Sequence, residues 1–185
     1  MAPRANNPRI QNIERLNTCN PTTVSEIILP PLKPYNFGMA NQATYDDANL
    51  CLRLFELRRE ETMRKARQWF GTFSATSLEE VQKVAPPGSQ ENAYFRMVVS
   101  YWDMAASFVT AGVLNEELFL QTNGELLFVW EKVRDLVGAY RAANKNPGWM
   151  RSLETLGNAA IKRMPAEAYQ NFSAMVRGMA AARPA

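Results

Sequence analysis

The sequence of 185 residues contains no histidine. Serine and cysteine nucleophiles that depend on a histidine base are therefore excluded, as are zinc and di-iron sites with histidine ligands. Acid–base chemistry would have to come from carboxylates, lysine or tyrosine. Neither glycine-rich phosphate loop, GxxxxGK(S/T) or GxGxxG, is present. These absences predict no catalytic residue, no metal site and no bound cofactor, and we interpret the protein as non-enzymatic.

Cysteine is scarce, and the two thiols, Cys19 and Cys51, have no metal-binding or redox motif around them. The first residues, MAPRANNPRIQN, lack the continuous apolar core of a secretory signal. Because disulfides are rare in a reducing cytoplasm, the sequence predicts two free thiols in a cytoplasmic protein.

A strong excess of charge of one sign is also missing. The chain has 21 Lys and Arg residues against 18 Asp and Glu residues, a formal net charge of +3. Residues 45–83 hold seven basic and seven acidic side chains in mixed order. This mixture is typical of a solvated helix surface and not of a phosphate-binding patch. Nucleic acid is therefore not an expected partner.

The most apolar stretch, residues 97–114, carries a single formal charge, Asp103. At the centre of a bilayer this carboxylate would cost about 2.5–3.5 kcal/mol, while an aliphatic or phenylalanine side chain gains only roughly 0.3–0.6 kcal/mol. The stretch has six such residues: Val98, Val99, Phe108, Val109, Val113 and Leu114. Because the two contributions cancel, the sequence predicts no transmembrane segment.

Polar residues recur through this stretch in steps of four, three, four and three, which places them in one stripe along a helix. They are Arg96, Ser100, Asp103, Ser107 and Thr110. The rest of the circumference is apolar, as in a buried helix. The pattern predicts a central buried helix over about 90–112, ended near Gly112.

Similar three- and four-residue spacings predict helices on both sides of the central one. A continuous stripe over residues 44–73 predicts one long helix: Tyr45, Ala48, Leu52, Phe55, Arg59, Thr62, Ala66, Trp69 and Phe73. Further helices are predicted from Ser77, from Asn115, from Trp149 and from Pro165. Thr122-Asn-Gly124 either interrupts the helix from Asn115 or only weakens it, and the sequence leaves both alternatives open. The predicted fold is all-α: a helical bundle of about five to six helices around the central one, a single domain over residues 44–181 with a loose tail at 182–185.

The N-terminal residues 1–43 differ from the rest, since residues 1–42 hold six of the eleven prolines. Ile27, Ile28, Leu29, Tyr35 and Phe37 make this stretch too apolar for a plain linker. We therefore expect an extended Pro-rich arm, part of which docks on the helical body or on another subunit.

Two residues stand out as candidates for a polar site. Arg59 falls on the apolar stripe, where its stem can pack while its guanidinium reaches water, or where it can pair with Asp103 in a buried ion pair. The polar stripe of the central helix, with Arg96, Ser100, Asp103 and Ser107, either lines a polar pocket or forms a seam that meets water. The sequence leaves both alternatives open.

A series of landmarks from Tyr94 to Leu156 carries a resemblance to a known family. They are Tyr101-Trp-Asp103, Gly112-Val-Leu-Asn-Glu-Glu-Leu118, Gly124, Trp130-Glu-Lys, Arg141, Pro147-Gly-Trp149 and Leu153-Glu-Thr-Leu156. In this order they resemble an uncharacterised bacterial family of all-helical domains of unknown function. The resemblance implies a helical fold and supplies no activity or catalytic residue.

The expected function is therefore that of a soluble bacterial protein-interaction or self-association module, with a protein partner or a second copy of the chain. The alternative is a small-molecule binder or an enzyme that uses a polar pocket around Asp103 and Arg59.

Overall fold

The computed structural model describes residues 42–181, and only the backbone of residues 179–181. Over this range the chain forms nine α-helices and one 3₁₀ turn, with no β-strand. The helices are α1 (Tyr45–Arg58), α2 (Glu61–Thr72), α3 (Leu78–Val84), α4 (Gln90–Thr110), α5 (Glu116–Thr122), α6 (Glu125–Val133), α7 (Val137–Asn144), α8 (Arg151–Arg163) and α9 (Ala166–Ala181), and the 3₁₀ turn is Arg134–Leu136. The predicted all-α class is confirmed.

Helix α4 is the predicted central helix. It has 21 residues, begins after Ser89, whose side chain accepts a hydrogen bond from the Asn92 N–H, and ends before Gly112 at φ 73°. Val98, Trp102, Ala105 and Ala106 on this helix are fully buried. Helices α2 and α8 pack along it, so α4 forms the centre of the described core.

The helices are shorter and more numerous than predicted because two expected helices are interrupted. The predicted helix over 44–73 breaks after Arg58, where the Glu60 carboxylate accepts a hydrogen bond from the Met63 N–H at 2.9 Å and caps α2. The predicted helix after Asn115 is interrupted at Asn123–Gly124, which is one of the two alternatives that the sequence left open, and it breaks again at the 3₁₀ turn. An apolar spacing that stays in phase across a break does not reveal the break.

The break after Arg58 changes which face of α1 is buried. The stripe predicted to face the core is exposed on α1: Tyr45 is 80% exposed, Leu52 60% and Phe55 47%. Leu54 and Arg58 face inward instead. Because α1 and α2 are separate helices, α1 turns a different side to the core, and its apolar stripe (Tyr45, Ala48, Leu52, Phe55 and Arg59) lies at the surface.

Helix α9 is held to α6 by one buried carboxylate. Glu131, whose side chain is 0% exposed, accepts hydrogen bonds from Tyr169 Oη at 2.8 Å, Ser173 Oγ at 2.6 Å and Arg177 Nε at 3.3 Å. Burial alone would raise the pKa of Glu131, but these hydrogen bonds and the Arg134 charge hold it below its usual range. The carboxylate is therefore a satisfied structural group.

Nearly all of the predicted Pro-rich arm, and the whole of the predicted tail at 182–185, lie outside the described residues. The division into arm, domain and tail and the docking of the arm stay predictions. Among residues 42–181, no helix is long and apolar enough to cross a membrane.

Candidate functional site

The carboxylate of Asp103 is bonded to the first turn of α8. Its Oδ1 atom accepts a hydrogen bond from the backbone N–H of Leu153 at 3.0 Å. Met150, directly before α8, has φ 54° and offers no side-chain cap. Since the first N–H groups of a helix have no partner within it and favour a negative charge nearby, Asp103 acts as the cap of α8 from a different helix.

We expect Asp103→Ala to lower the free energy of unfolding by about 1 kcal/mol, as the loss of a helix cap does. Asp103→Asn retains an acceptor oxygen and removes only the charge. The free energy of unfolding should therefore fall less in this variant than in Asp103→Ala. Ser107→Ala is the matched control, because the Ser107 hydroxyl bonds only to the Met104 carbonyl of its own helix, at 2.6 Å. Urea unfolding measures all three; equal effects of Asp103→Ala and Ser107→Ala would contradict the capping role.

The other residues of the polar stripe do not converge on Asp103. Ser100 Oγ donates to the Met97 carbonyl at 3.4 Å, a bond within α4. Thr110 Oγ1 donates to Ser152 Oγ at 3.4 Å, near the start of α8. Arg96 and Ser100 are exposed and line a surface groove described below. A polar pocket built around Asp103 stays a prediction, and the seam along α8 accounts for the contacts that the structure does show.

Arg59 is exposed, and its guanidinium carbon lies 5.6 Å from the centre of the Phe55 ring. Among the described residues no ion pair joins Arg59 to Asp103. The buried arginine is the preceding residue, Arg58, which is 8% exposed. An arginine does enter the core at this point in the chain, and its partner is a carboxylate that the sequence did not suggest.

That partner is Glu125, the first residue of α6, which two arginines share. Arg58 Nη1 lies 3.1 Å from Glu125 Oε2, and Arg67 donates from Nε to Oε1 at 2.6 Å and from Nη2 to Oε2 at 2.5 Å. The Arg58 guanidinium also lies 5.2 Å from the centre of the Trp102 ring. This Arg58–Glu125–Arg67 cluster joins α1, α2 and α6 to the central helix.

Two groups near this cluster have raised pKa values, which disfavour the deprotonated forms that act as nucleophiles. Burial raises the pKa of Tyr101 to about 12, and its hydroxyl donates to the Leu54 carbonyl at 2.7 Å. Burial also raises the pKa of the Cys51 thiol, which disfavours the nucleophilic thiolate. In the part of the chain that the structure describes, no three Cys, Asp or Glu side chains are placed to hold a metal ion. The cluster is suited to structural support.

Two of the grooves among residues 42–181 are large enough for a ligand or a partner side chain to enter. The α4–α7 groove, about 670 Å³, is lined by Asn92, Ala93, Phe95, Arg96, Met97, Val99, Ser100, Tyr140, Asn144, Trp149 and Met150. The α1–α5 groove, about 440 Å³, is lined by Ala48, Cys51, Leu52, Phe55, Arg58, Leu118, Thr122 and Asn123. The first has a mixed lining and the second an almost wholly apolar one.

These features define an all-α domain around one buried helix, with two surface grooves and a structural ion cluster. The chain belongs to the family described as Domain of unknown function (DUF4760), whose model matches residues 43–160. The match begins two residues before α1 and ends within α8, so it confirms the resemblance and extends it beyond residues 94–156. No curated protein and no solved structure gave a significant match.

Proposed function

We propose that the protein is a non-enzymatic module that acts through protein contacts and self-associates through the exposed stripe of α1. The observation that carries this proposal is the exposure of three large side chains on one helix face: Tyr45, Leu52 and Phe55. Leu52 and Phe55 also line the α1–α5 groove, and monomeric proteins seldom expose a large apolar patch without a binding role. The bacterial and cytoplasmic setting inferred from the sequence stays part of the proposal.

The folding of the domain does not account for this stripe. Leu54 and Arg58 provide the contacts of α1 with the core, on another face of the helix. Among residues 42–181 no side chain covers Leu52 and Phe55 fully, and full burial of such a side chain contributes roughly 1.5–3 kcal/mol. Since Leu52 is 60% and Phe55 47% exposed, burying both on each copy contributes about half of this value per side chain to a reversible association.

The order of residues along the stripe supports a second copy as the partner. Leu52 lies midway between Tyr45 and Arg59, seven residues from each. In an antiparallel pair of α1 helices centred on Leu52, the Arg59 guanidinium of one copy meets the Tyr45 ring of the other, a favourable cation–π arrangement. In the same pair, the small Ala48 side chain of one copy lies against the helical turn of the other copy that carries the large Phe55 side chain. A two-fold interface requires a surface that is complementary to itself in this way.

The alternative, a pocket that uses Asp103 and Arg59 together, has less support. The Asp103 carboxylate accepts a backbone hydrogen bond from α8, and the Arg59 side chain is exposed beside Phe55.

The test is sedimentation velocity of the full chain over a range of concentrations. We expect the wild type to form a dimer as its concentration rises and the Leu52→Glu/Phe55→Glu variant to remain monomeric, because burying the new carboxylates would be costly. Leu57→Glu is the matched control: Leu57 is 55% exposed on the same helix, about 140° around from Leu52. It should associate like the wild type.

A wild type that is monomeric at about 1 mM would contradict self-association. Equal loss of the dimer in both variants would contradict the role of the stripe. Circular dichroism of each variant checks that the total helix content is unchanged.

A further inference from the structure

We propose that the α4–α7 groove binds a small, planar aromatic compound that carries a negative charge. This binding site is separate from the α1 stripe, and the proposal stands independently of self-association. It rests on four observations: the volume of the groove, a row of stacked rings in its wall, a single unpaired cation in its lining, and a loop that fixes the outermost ring.

The groove has the size and lining of a ligand site. Its volume of about 670 Å³ lies within the range of roughly 300–1,000 Å³ that small-molecule pockets occupy. Apolar side chains form most of the lining, and a few polar groups stand among them, namely Asn92, Arg96, Ser100 and Asn144. A mainly apolar cleft with a few convergent polar groups is the usual composition of such a pocket.

Three aromatic rings follow one another in the wall. The Trp149 and Tyr140 ring centres lie 4.5 Å apart with an interplanar angle of 20°, and those of Tyr140 and Phe95 lie 6.0 Å apart at 17°. Phe95 is buried, whereas Tyr140 and Trp149 are half-buried and keep part of their surface at the groove. A planar ligand can extend this row by stacking on the outer ring.

Arg96 determines the charge of the ligand. It is the only charged residue among the described lining residues. Its guanidinium has no ion pair and no hydrogen bond within residues 42–181, unlike Arg58, Arg67 and Arg141. Because no carboxylate of the described residues lines the groove, Arg96 favours an anion and disfavours a cation. The neutral Asn92, Asn144 and Ser100 side chains add hydrogen-bonding groups without changing this preference.

The loop that carries Trp149 is fixed in a costly conformation. Lys145 and Met150, at its two ends, have φ values of 51° and 54°, in the left-handed region that non-glycine residues seldom occupy. Arg141 holds the loop in place: its Nε atom donates to the Trp149 carbonyl at 2.9 Å, and its Nη2 atom lies 2.7 Å from Glu154 Oε2. The positive φ of Met150 is the unusual one, since a left-handed residue such as Lys145 commonly ends a helix, and the Arg141 contacts keep the Trp149 ring at the edge of the groove.

The test uses two fluorescent probes with similar rings and different charge, applied to the full chain. Anilinonaphthalene sulfonate is an anion with a planar naphthalene ring system, and phenylnaphthylamine is its uncharged counterpart. We expect Arg96→Gln to weaken binding of the sulfonate by about two- to fivefold, as the loss of an exposed ion pair does, and to leave phenylnaphthylamine binding unchanged. Arg151→Gln, an exposed arginine at the start of α8 outside the groove lining, is the matched control and should change neither.

Trp149→Leu removes the outer ring and should weaken both probes. If this variant fails to fold, the Arg96 comparison alone decides. Equal affinity of the sulfonate for Arg96→Gln and Arg151→Gln would overturn the proposal. Loss of probe binding in Leu52→Glu/Phe55→Glu would also overturn it, because the probe would then occupy the α1–α5 groove.

Discussion

Glu125→Gln should lower the free energy of unfolding by about 3 kcal/mol, because it leaves two arginines without their shared carboxylate. Arg58 is held in the core with a side chain that is 10% exposed, and Arg67 is 32% exposed. The glutamine amide has nearly the same shape, so the loss reports the charge and not a cavity. Arg67 can turn partly to water, whereas Arg58 remains between Phe55 and Trp102.

The measurement is urea unfolding at neutral pH, with Glu61→Gln as the matched control. Glu61 pairs with Lys65 at 2.7 Å, but both side chains are more than half exposed, so its loss should cost less than about 0.5 kcal/mol. If Glu125→Gln costs no more than Glu61→Gln, the cluster does not hold α1, α2 and α6 together.

Gly157→Ala should lower the free energy of unfolding by about 2 kcal/mol, although alanine is the better helix former. Gly157 is buried on α8 against Trp130 of α6. A Cβ atom at this position would lie 2.5 Å from Trp130 Cγ and Cδ1 and 3.0 Å from Trp130 Cβ. Because Cβ and Cγ are close to the backbone, the ring cannot simply turn away, and the two helices would have to separate.

Gly138→Ala is the control, and its expected effect on the free energy of unfolding has the opposite sign. Gly138 is exposed on α7, and a Cβ added there would meet nothing within 4 Å. The substitution should therefore stabilise the protein by about 0.5–1 kcal/mol. Thermal unfolding of the two variants gives both values; a stabilising Gly157→Ala would show that α6 and α8 have room between them.

The central helix could be predicted because its evidence is local. The polar stripe, the nearly charge-free run and the terminating Gly112 all lie within one stretch of the sequence. The start of α5 is equally local: the Asn115 side chain accepts from the Leu118 N–H at 2.9 Å, as its position before two glutamates predicts.

The burial of α1 could not be predicted from the same kind of evidence. Two faces of this helix carry apolar residues, one with Leu52 and Phe55 and the other with Leu54. The longer stripe continues into α2, so spacing favours it. Glu60 ends the continuity between α1 and α2, because its side chain caps α2. As a separate helix, α1 buries the side that carries Leu54. Glutamate is a weak signal for a helix start, and the apolar spacing runs past it unchanged.

The contacts of the candidate site depend on pairs that are distant in sequence. Arg58 and Glu125 are 67 positions apart, and nothing in either stretch identifies the other. The one available signal was that Arg58 lies four residues after Leu54, on the same face. The partner of Asp103 is a backbone N–H, which almost every residue possesses, so no sequence pattern could have identified Leu153. Arg96 and Ser100 were found as members of the stripe, whereas Tyr140 and Trp149 meet them only through folding.

The capping of α8 by Asp103 also bears on the order in which the chain folds. A helix with its own cap can begin to form from local sequence alone, but the first turn of α8 acquires its acceptor only when α4 is already beside it. Helix ends normally open first in local unfolding. In α8 the N-terminal end is tied to the helix at the centre of the described core, so we expect this end to open later than an uncapped helix end would.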